Sequence, residues 1–509
     1  MRLQKLRNAF EIRKIRKQIM ILFLIGILIL LVGYLTYSKY VDAQFEPQDE
    51  QTAATKSYDG VDYVPLPTWK NMIIHLLNIA GMGPVLAAIQ GVLFGPWVFI
   101  IVPLGCIFMG AVHDYMCGMV SVRTGGLQLT GMIKKFLGER FFQFFMVAVT
   151  LMSFVWVAVF VYSSGDIFLQ RFLHQTDFSL ENPIAVSVYL IILTYFLIAT
   201  VFPIDKFIGK VYPIFAVIFF LGTIVLFFGF FTKGLAIPDL SLSQFNVHPK
   251  NIPWIPFFFL TVSCGLLSGS HATQAPIIAR TLNSELNGRK VFYAMMCGES
   301  VIMMIWALAA MSVYNMSLVP ESLIGTANVV NVIADKYAPS GLSFLIAFAV
   351  LVLPITSGDT ALRSIRMMVS EALNLSQKPV INRLVIILPS IIFTALVLFW
   401  AKTATDSFSA VWRYVMFINQ LIAIPTLLIG TIFLYRARKN YLITLIPLMF
   451  YTFILSTFIL NAKIGFNINL LAAEGIGVFV SVLTVILLFF NMRKDELKLL
   501  ANDANSTNA

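Results

Sequence analysis

The chain has 509 residues, of which 59% are hydrophobic, 14% aromatic and only 12% charged, a balance far outside that of a soluble domain. Its formal net charge of +11 invites a nucleic-acid reading, but Lys and Arg gather in short loops between apolar segments, where they mark the cytoplasmic side of a membrane protein. A soluble enzyme and a nucleic-acid-binding domain are thereby excluded, and no loop is long enough for a soluble catalytic domain.

In chain order, residues 1–18 form a basic extension with seven Lys or Arg against Glu11. A first apolar span, 19–37, has about the length that crosses a hydrocarbon core, and a polar loop follows at 38–68. A signal peptide ending near Val41-Asp42-Ala43 is the alternative for this region, although its apolar stretch is long for one. Twelve further spans lie near 69–90, 92–122, 140–165, 183–203, 211–232, 254–280, 289–315, 340–370, 380–400, 410–435, 441–460 and 468–491, with a polar tail at 492–509. Cys106, Cys117, Cys264 and Cys297 all fall within spans and lack metal-ligand or CxxC spacing, so they read as small buried residues.

From residue 38 onward, alternate loops hold 21 Lys or Arg, whereas the opposing loops hold six. The twelve spans from 69 therefore begin and end in the cytoplasm, and the C-terminus is expected inside. The basic extension by itself would hold residue 1 in the cytoplasm and push the 38–68 loop outside. The many core loops outweigh that single cluster.

Two spans are interrupted midway by small residues: NIAGMGPVLAAIQG from Asn78 and SCGLLSGSHATQAP from Ser263. Inside a bilayer a break frees backbone groups that must be satisfied by protein, water or ligand. The first break runs from inside to outside and the second, five spans later, from outside to inside. Five spans at 69–232 and five of opposite polarity at 254–435 are the layout of an inverted-repeat carrier with its site at the repeat interface.

At the first break, Gly81 and Gly83 permit unusual backbone angles and Pro84 cannot continue the helical ladder. The half-helix beyond presents N–H groups and a partial positive charge suited to a carboxylate, and Asn78 adds an amide. A simple packing kink is the plainer alternative. The second break gathers Ser263, Ser268, Ser270, His271, Thr273 and Gln274 around Gly265 and Gly269. His271 is the side chain there that exchanges a proton most easily near neutral pH; it is a candidate substrate contact or proton carrier, or else a hydrogen-bonded core histidine.

Charged groups at membrane depth are functional candidates because they are costly there: Asp114, Glu299, Asp359, Arg363 and Glu474. Asp359 and Arg363, at i and i+4, are placed to pair on one helix face. Arg123 and Arg280 read as loop anchors or gates whose partners would be acids such as Asp59 or Asp62. HExxH and GxSxG are missing, and adjacent His113 and Asp114 diverge by about 100° on a helix, so no catalytic set is visible.

The strings DGVDYVPLPTWK from Asp59, NIAGMGP, GAVHDYMCGMVSVRTGG from Gly110 and CGLLSGSHATQ from Cys264 resemble the carbon starvation protein A (CstA) family, in its shorter branch with one helix before the DGVDYVP loop. The basic extension departs from that branch. The resemblance implies an inner-membrane carrier of the amino acid–polyamine–organocation superfamily, linked to pyruvate or short-peptide uptake during carbon starvation, with substrate varying among members. It also implies a cation site where Thr356, Ser357 and Asp359 of the eighth core helix face the first.

The resulting expectation is an all-α membrane protein of about 13 transmembrane helices, with a LeuT-like 5+5 inverted repeat, one additional N-terminal helix and two C-terminal ones at 441–491. It would import a small carboxylate-bearing nutrient through Asn78, Gly81, Gly83, Ser268, Gly269, Ser270, His271 and Gln274, with H⁺, or alternatively Na⁺, coupled through His271, Thr356, Ser357 and Asp359. Asp114, Arg123, Glu299 and Arg363 are expected in structural pairs or gates. No metal or other cofactor and no nucleic acid is expected; the partners are the substrate, the bilayer and, as an open candidate, a small regulatory membrane or sensor protein. The competing readings are a nutrient receptor that signals without transport and a Na⁺-coupled carrier of another substrate.

Overall fold

A computed structural model describes residues 20–507 apart from 236–247, 322–323, 325–327, 340, 404–406 and 464; the basic extension at 1–18 lies outside the described residues. Eleven helices are long and apolar enough to cross a membrane, and two bent pairs bring the number to 13 among the described residues. Their burial pattern is that of a protein solvated by lipid. Ile191, Phe231 and Phe490 are each about two-thirds exposed, whereas Asp114, Glu299, Asp359, Arg363 and Arg366 are fully buried, the reverse of a water-soluble surface. This is a multi-pass membrane protein.

The first helix, α1 (Met20–Phe45), runs past the expected end at 37 because residues after it have partners: Val41 is buried and Asp42 accepts from the Tyr115 hydroxyl at 2.6 Å. Val41-Asp42-Ala43 thus belongs to a packed helix. The core begins with the bent pair α2 (Thr68–Ile79) and α3 (Met82–Gly91), followed by α4 (Val98–Arg123), α5 (Glu139–Phe172), α6 (Pro183–Val201) and α7 (Ile208–Lys233). The second half opens with the bent pair α8 (Trp254–Thr261) and α9 (His271–Ala279). It continues with α10 (Glu285–Asn315), α11 (Ser343–Ala372), α12 (Val380–Thr403) and α13 (Ser407–Arg436). Two more helices, α14 (Leu442–Asn461) and α15 (Leu470–Thr507), pack against each other; α15 carries the helix well beyond the expected end of the last span at 491.

The packing obeys the inverted repeat. The broken helix of each half lies against the second helix of the other, α3 on α10 and α9 on α4, and the third helices, α5 and α11, pack together. The fourth and fifth helices of each half then flank the third helix of the other, α6 and α7 on α11, α12 and α13 on α5. Polarity is reversed as well, since Phe258 of α8 meets Phe94, just beyond α3, edge to face.

The first interrupted span bends by 48° between Thr68–Ile79 and Met82–Phe94, and the second by 69° between Trp254–Thr261 and Ser263–Ala279. In the first, Gly81 leaves helical geometry at φ −37°, ψ −156°, and Pro84, lacking an N–H, occupies the first turn of α3, where no donor is needed. In the second, Leu267 is extended at φ −159°, ψ 123°. Gly269 sits where a Cβ would strike the Asn419 carbonyl of α13, and a Cβ at Gly83 would strike the Cys264 sulfur. Small residues at the breaks let backbone approach backbone.

Candidate functional site

Between the two breaks is a small cavity. Asn78, Ile79, Gly81 and Gly83 line it from the first broken helix, and Cys264, Ser270, Thr273 and Gln274 from the second. Met152, Ser153, Trp156 and Phe160 of α5 and Ser357 and Ala361 of α11 complete it. About 20 Å³ is open to the centre of a water molecule, room for about one water, so the bundle is closed around it. Both amide atoms of Asn78 and Oε1 of Gln274 are buried without a hydrogen-bond partner, an arrangement that costs about 1–3 kcal/mol per group until something polar arrives.

Of the residues expected to bind substrate, Asn78, Gly81, Gly83, Ser270 and Gln274 meet at this cavity, while Ser268, Gly269 and His271 do not line it. Ser268 and Gly269 belong to the packing of the break: Asn419 donates to the Ser268 hydroxyl at 3.0 Å and its Oδ1 accepts from the Ser270 N–H at 2.6 Å. The α5 face was missed. Its signal was the i, i+4, i+8 spacing of Met152, Trp156 and Phe160 beside Ser153, which puts these side chains on one helix face.

His271 points away from the cavity, into a cluster on α4 and α10. Its Nδ1 is 2.8 Å from Asp114 Oδ2, and the other carboxylate oxygen, Oδ1, is 2.9 Å from His113 Nδ1. Its Nε2 is 3.4 Å from Glu299 Oε2. Asp114 and Glu299, expected in pairs or gates, therefore flank the histidine inside the bundle.

The expected cation residues separate. The Thr356 hydroxyl is 3.0 Å from the Leu77 carbonyl and the Ser357 hydroxyl donates to the Asn78 carbonyl at 2.8 Å, so both face carbonyls that the first break releases. Asp359 turns the other way, accepting from Tyr195 at 2.9 Å and Tyr212 at 2.6 Å. The expected Asp359–Arg363 pair is not formed. Arg363 donates instead to Asp62 at 3.2 Å and to the Ala199 and Phe202 carbonyls at 2.5 and 2.9 Å, because the 46–67 segment crosses this end of the bundle and brings a carboxylate within reach.

That segment ties the end shut. Asp62 also takes Arg366 at 2.6 Å; burial pushes its acidity down, but the Arg366 and Arg363 guanidiniums outweigh that and hold the carboxyl below the usual carboxylate range. Arg123 pairs with Glu285 at 3.0 Å and Arg280 with Glu371 at 2.9 Å, so neither takes Asp59 or Asp62 as expected. Asp59 caps its own turn, accepting from the N–H groups of Val61, Asp62 and Tyr63. Arg123 further reaches the Glu46 carbonyl at 2.7 Å, and Asn440 N–H donates to Gln44. The 38–68 segment thus sits at the same end as the 123–140, 280–290 and 436–439 loops.

Fold and site together define a LeuT-like membrane protein with a 5+5 inverted repeat. Solved structures agree: a manganese transporter of Eremococcus coleocola matches with a TM-score of 0.53 at 14% identity, over 86% of this chain and 99% of that one. A Na⁺-coupled sialic acid symporter matches with a TM-score of 0.53 at 14% identity, over 91% and 95%. The chain belongs to the carbon starvation protein CstA family. The family described as Carbon starvation protein CstA matches residues 18–169. An uncharacterized membrane protein of Haemophilus influenzae is 34% identical over 58% of this chain and 91% of its own length. A peptide transporter CstA of Helicobacter pylori is 25% identical over 53% of this chain and 48% of its own length, and a pyruvate/proton symporter BtsT of Escherichia coli is 36% identical over 115 residues, 21% of this chain and 16% of that protein. The match spans about half the length of the peptide transporter and less of the symporter.

Proposed function

We propose that the protein is a secondary active importer of a small carboxylate-bearing nutrient, pyruvate or a short peptide, driven by protons and bound between the two breaks. The observation that carries this reading is the convergence on one cavity of the unpartnered amide group of Asn78 and the unpartnered amide oxygen of Gln274, one from each broken helix. The start of α3 supports it, since a helix N-terminus favours a carboxylate. Trp156 and Phe160 supply an apolar wall for the rest of a small organic acid.

In this reading the end tied by Asp62, Arg123 and Arg280 is cytoplasmic, the membrane is the inner membrane, and the C-terminus is cytoplasmic, in line with the loop charges. The tie is the inner gate, and its opening alternates with that of the opposite end. Substrate and ion drive the alternation only through differential affinity for the two states. Proton coupling is favoured over Na⁺ because Thr356 and Ser357 already satisfy the carbonyls released by the first break, whereas the His271 cluster retains unpartnered carboxylate oxygens on Glu299.

The test is uptake of labelled pyruvate and a labelled dipeptide by proteoliposomes under an imposed proton gradient or, separately, a sodium gradient. Proton-driven uptake of either, abolished by an uncoupler, is expected. No uptake under both gradients, from folded protein, overturns the reading in favour of a receptor or another substrate class; sodium-driven uptake overturns the coupling.

A further inference from the structure

The buried cluster around His271 lies outside the cavity, and its atoms carry a balance of protons that can be counted. Asp114 offers two oxygens, each within 3 Å of an imidazole Nδ1, those of His113 and His271. An ionised carboxylate only accepts hydrogen bonds, so both Nδ1 atoms carry hydrogen. That leaves Nε2 of His271 at 3.4 Å from Glu299 Oε2, within ion-pair distance but not aligned as a hydrogen bond, so that both atoms are buried without a hydrogen-bond partner. In a neutral imidazole with Nδ1–H, Nε2 is a lone pair, and a lone pair opposite a carboxylate is repulsive. One proton between them removes the repulsion, whether it is written as imidazolium with carboxylate or imidazole with carboxylic acid.

The surroundings make that proton matter. Glu299 and Asp114 are fully buried, and among the described residues no Lys or Arg lies within salt-bridge distance of either. The other titratable groups facing the cluster are His75 of α2, Cys106 and Cys117 of α4 and Cys264 at the second break. None supplies a fixed positive charge. Without the proton, two buried carboxylates stand with no cation, a state that low polarity strongly disfavours.

We propose that His271 and Glu299 form a single-proton binding site, distinct from the substrate cavity, with Asp114 and His113 orienting the imidazole. Resting on the transporter reading, this is the site of the coupled proton. Ser270, Thr273 and Gln274 turn one face of α9 to the cavity, and His271, about 100° round the same helix from Ser270, turns to α4 and α10. A shift of this half-helix on substrate binding changes the His271–Glu299 contact directly, so substrate and proton are read by two faces of one rigid element. Asp114 is a positioning residue: it sets the tautomer that aims Nε2 at Glu299.

Two measurements on the full-length protein test this. Infrared difference spectra of purified protein, acid against alkaline buffer, should show the carboxylic-acid C=O absorption of all titrating carboxyls, and Glu299→Gln should remove one component of it while Gln274→Ala retains every component. A folded Glu299→Gln protein whose C=O difference spectrum superimposes on that of the unsubstituted protein at every pH overturns the site. In proteoliposomes given labelled pyruvate or dipeptide outside, Glu299→Gln should lose pH-gradient-driven accumulation and, when the vesicles hold the unlabelled solute, keep exchange, which needs no net proton movement; retained gradient-driven accumulation overturns the coupling role. If Glu299→Gln fails to fold, His271→Gln is the second variant: it should shift the pH midpoint of one component of the absorption, and an unmoved midpoint overturns the pairing. If the unsubstituted protein moves neither solute, the transport reading fails while the infrared outcome still decides the proton site.

Discussion

Arg363 bypasses the carboxylate four residues earlier on its own helix and donates at 3.2 Å to Asp62, 301 positions away in the chain. Asp62 is the hub of this end: it also accepts from Arg366 at 2.6 Å, and all three side chains are essentially fully buried. Replacing Asp62 by Asn leaves two buried guanidiniums without a counter-charge, a loss of about 3–5 kcal/mol. Thermal unfolding in detergent should show a clear drop in Tm for Asp62→Asn and a change near zero for Glu50→Gln, whose partner Lys56 is 3.8 Å away and exposed. An unchanged Tm in Asp62→Asn rejects the hub.

The same carboxyl sets a pH dependence. Its folded-state value lies below the unfolded one, so its contribution is fully present above the ordinary carboxylate range and is lost as pH falls through that range toward the folded value. Stability of the unsubstituted protein should therefore decline on acidification below the ordinary range of Asp, and Asp62→Asn should flatten that limb. Parallel acid limbs in the two proteins would show that other groups govern it.

Asn78 and Gln274 are expected to separate binding from stability. The Asn78 amide makes no intramolecular bond that truncation could break, and that of Gln274 makes one, to the neighbouring Thr273 hydroxyl at 3.2 Å, so Asn78→Ala and Gln274→Ala should shift Tm by no more than a few degrees, by the small stability change involved. Each should raise the KM for uptake by roughly tenfold, the loss of about 1.4 kcal/mol of polar contact. A large Tm loss with unchanged KM would place these amides in the packing instead.

Gly269 is expected to be intolerant. A Cβ there collides with backbone of α13, at the Asn419 carbonyl and the Ala423 nitrogen, and backbone cannot swing aside as a side chain can. Gly269→Ala should destabilise by about 1–3 kcal/mol, and transport should fall with it. Gly475, with open space around its Cβ position, is the control: Gly475→Ala should leave both unchanged.

The pair of Arg280 and Glu371 should act on the conformational balance. Glu371 also accepts from the Gln128 N–H at 3.1 Å, bridging three segments at the tied end. Glu371→Gln weakens that closure, so in a Cys264→Ser background a cysteine placed at Ser153 or Ala361 in the cavity wall should label faster with a membrane-impermeant maleimide from that side. Equal labelling rates would exclude Glu371 from the gate.

The order of the helices, the two breaks and the inverted polarity were legible along the chain, because apolar length, glycine and proline placement and loop charge act locally and do not depend on what a helix touches. Half of the cavity was legible for the same reason: Asn78, Ser270 and Gln274 lie at the breaks themselves. Partners were not. An i, i+4 spacing made Asp359 and Arg363 a natural pair, yet Tyr195 and Tyr212 claimed the acid and the 46–67 segment claimed the base, since in a packed bundle a buried charge goes to the best available partner from any helix. His271 was picked out by its chemistry, but Asp114 and Glu299 join it only because α4, α9 and α10 pack together, and the α5 wall of the cavity exists only because α5 lies on α11. The number of apolar spans and the positions of the breaks follow from local composition; which charges meet follows from the packing, because meeting is set by distance across helices and not by separation along the chain.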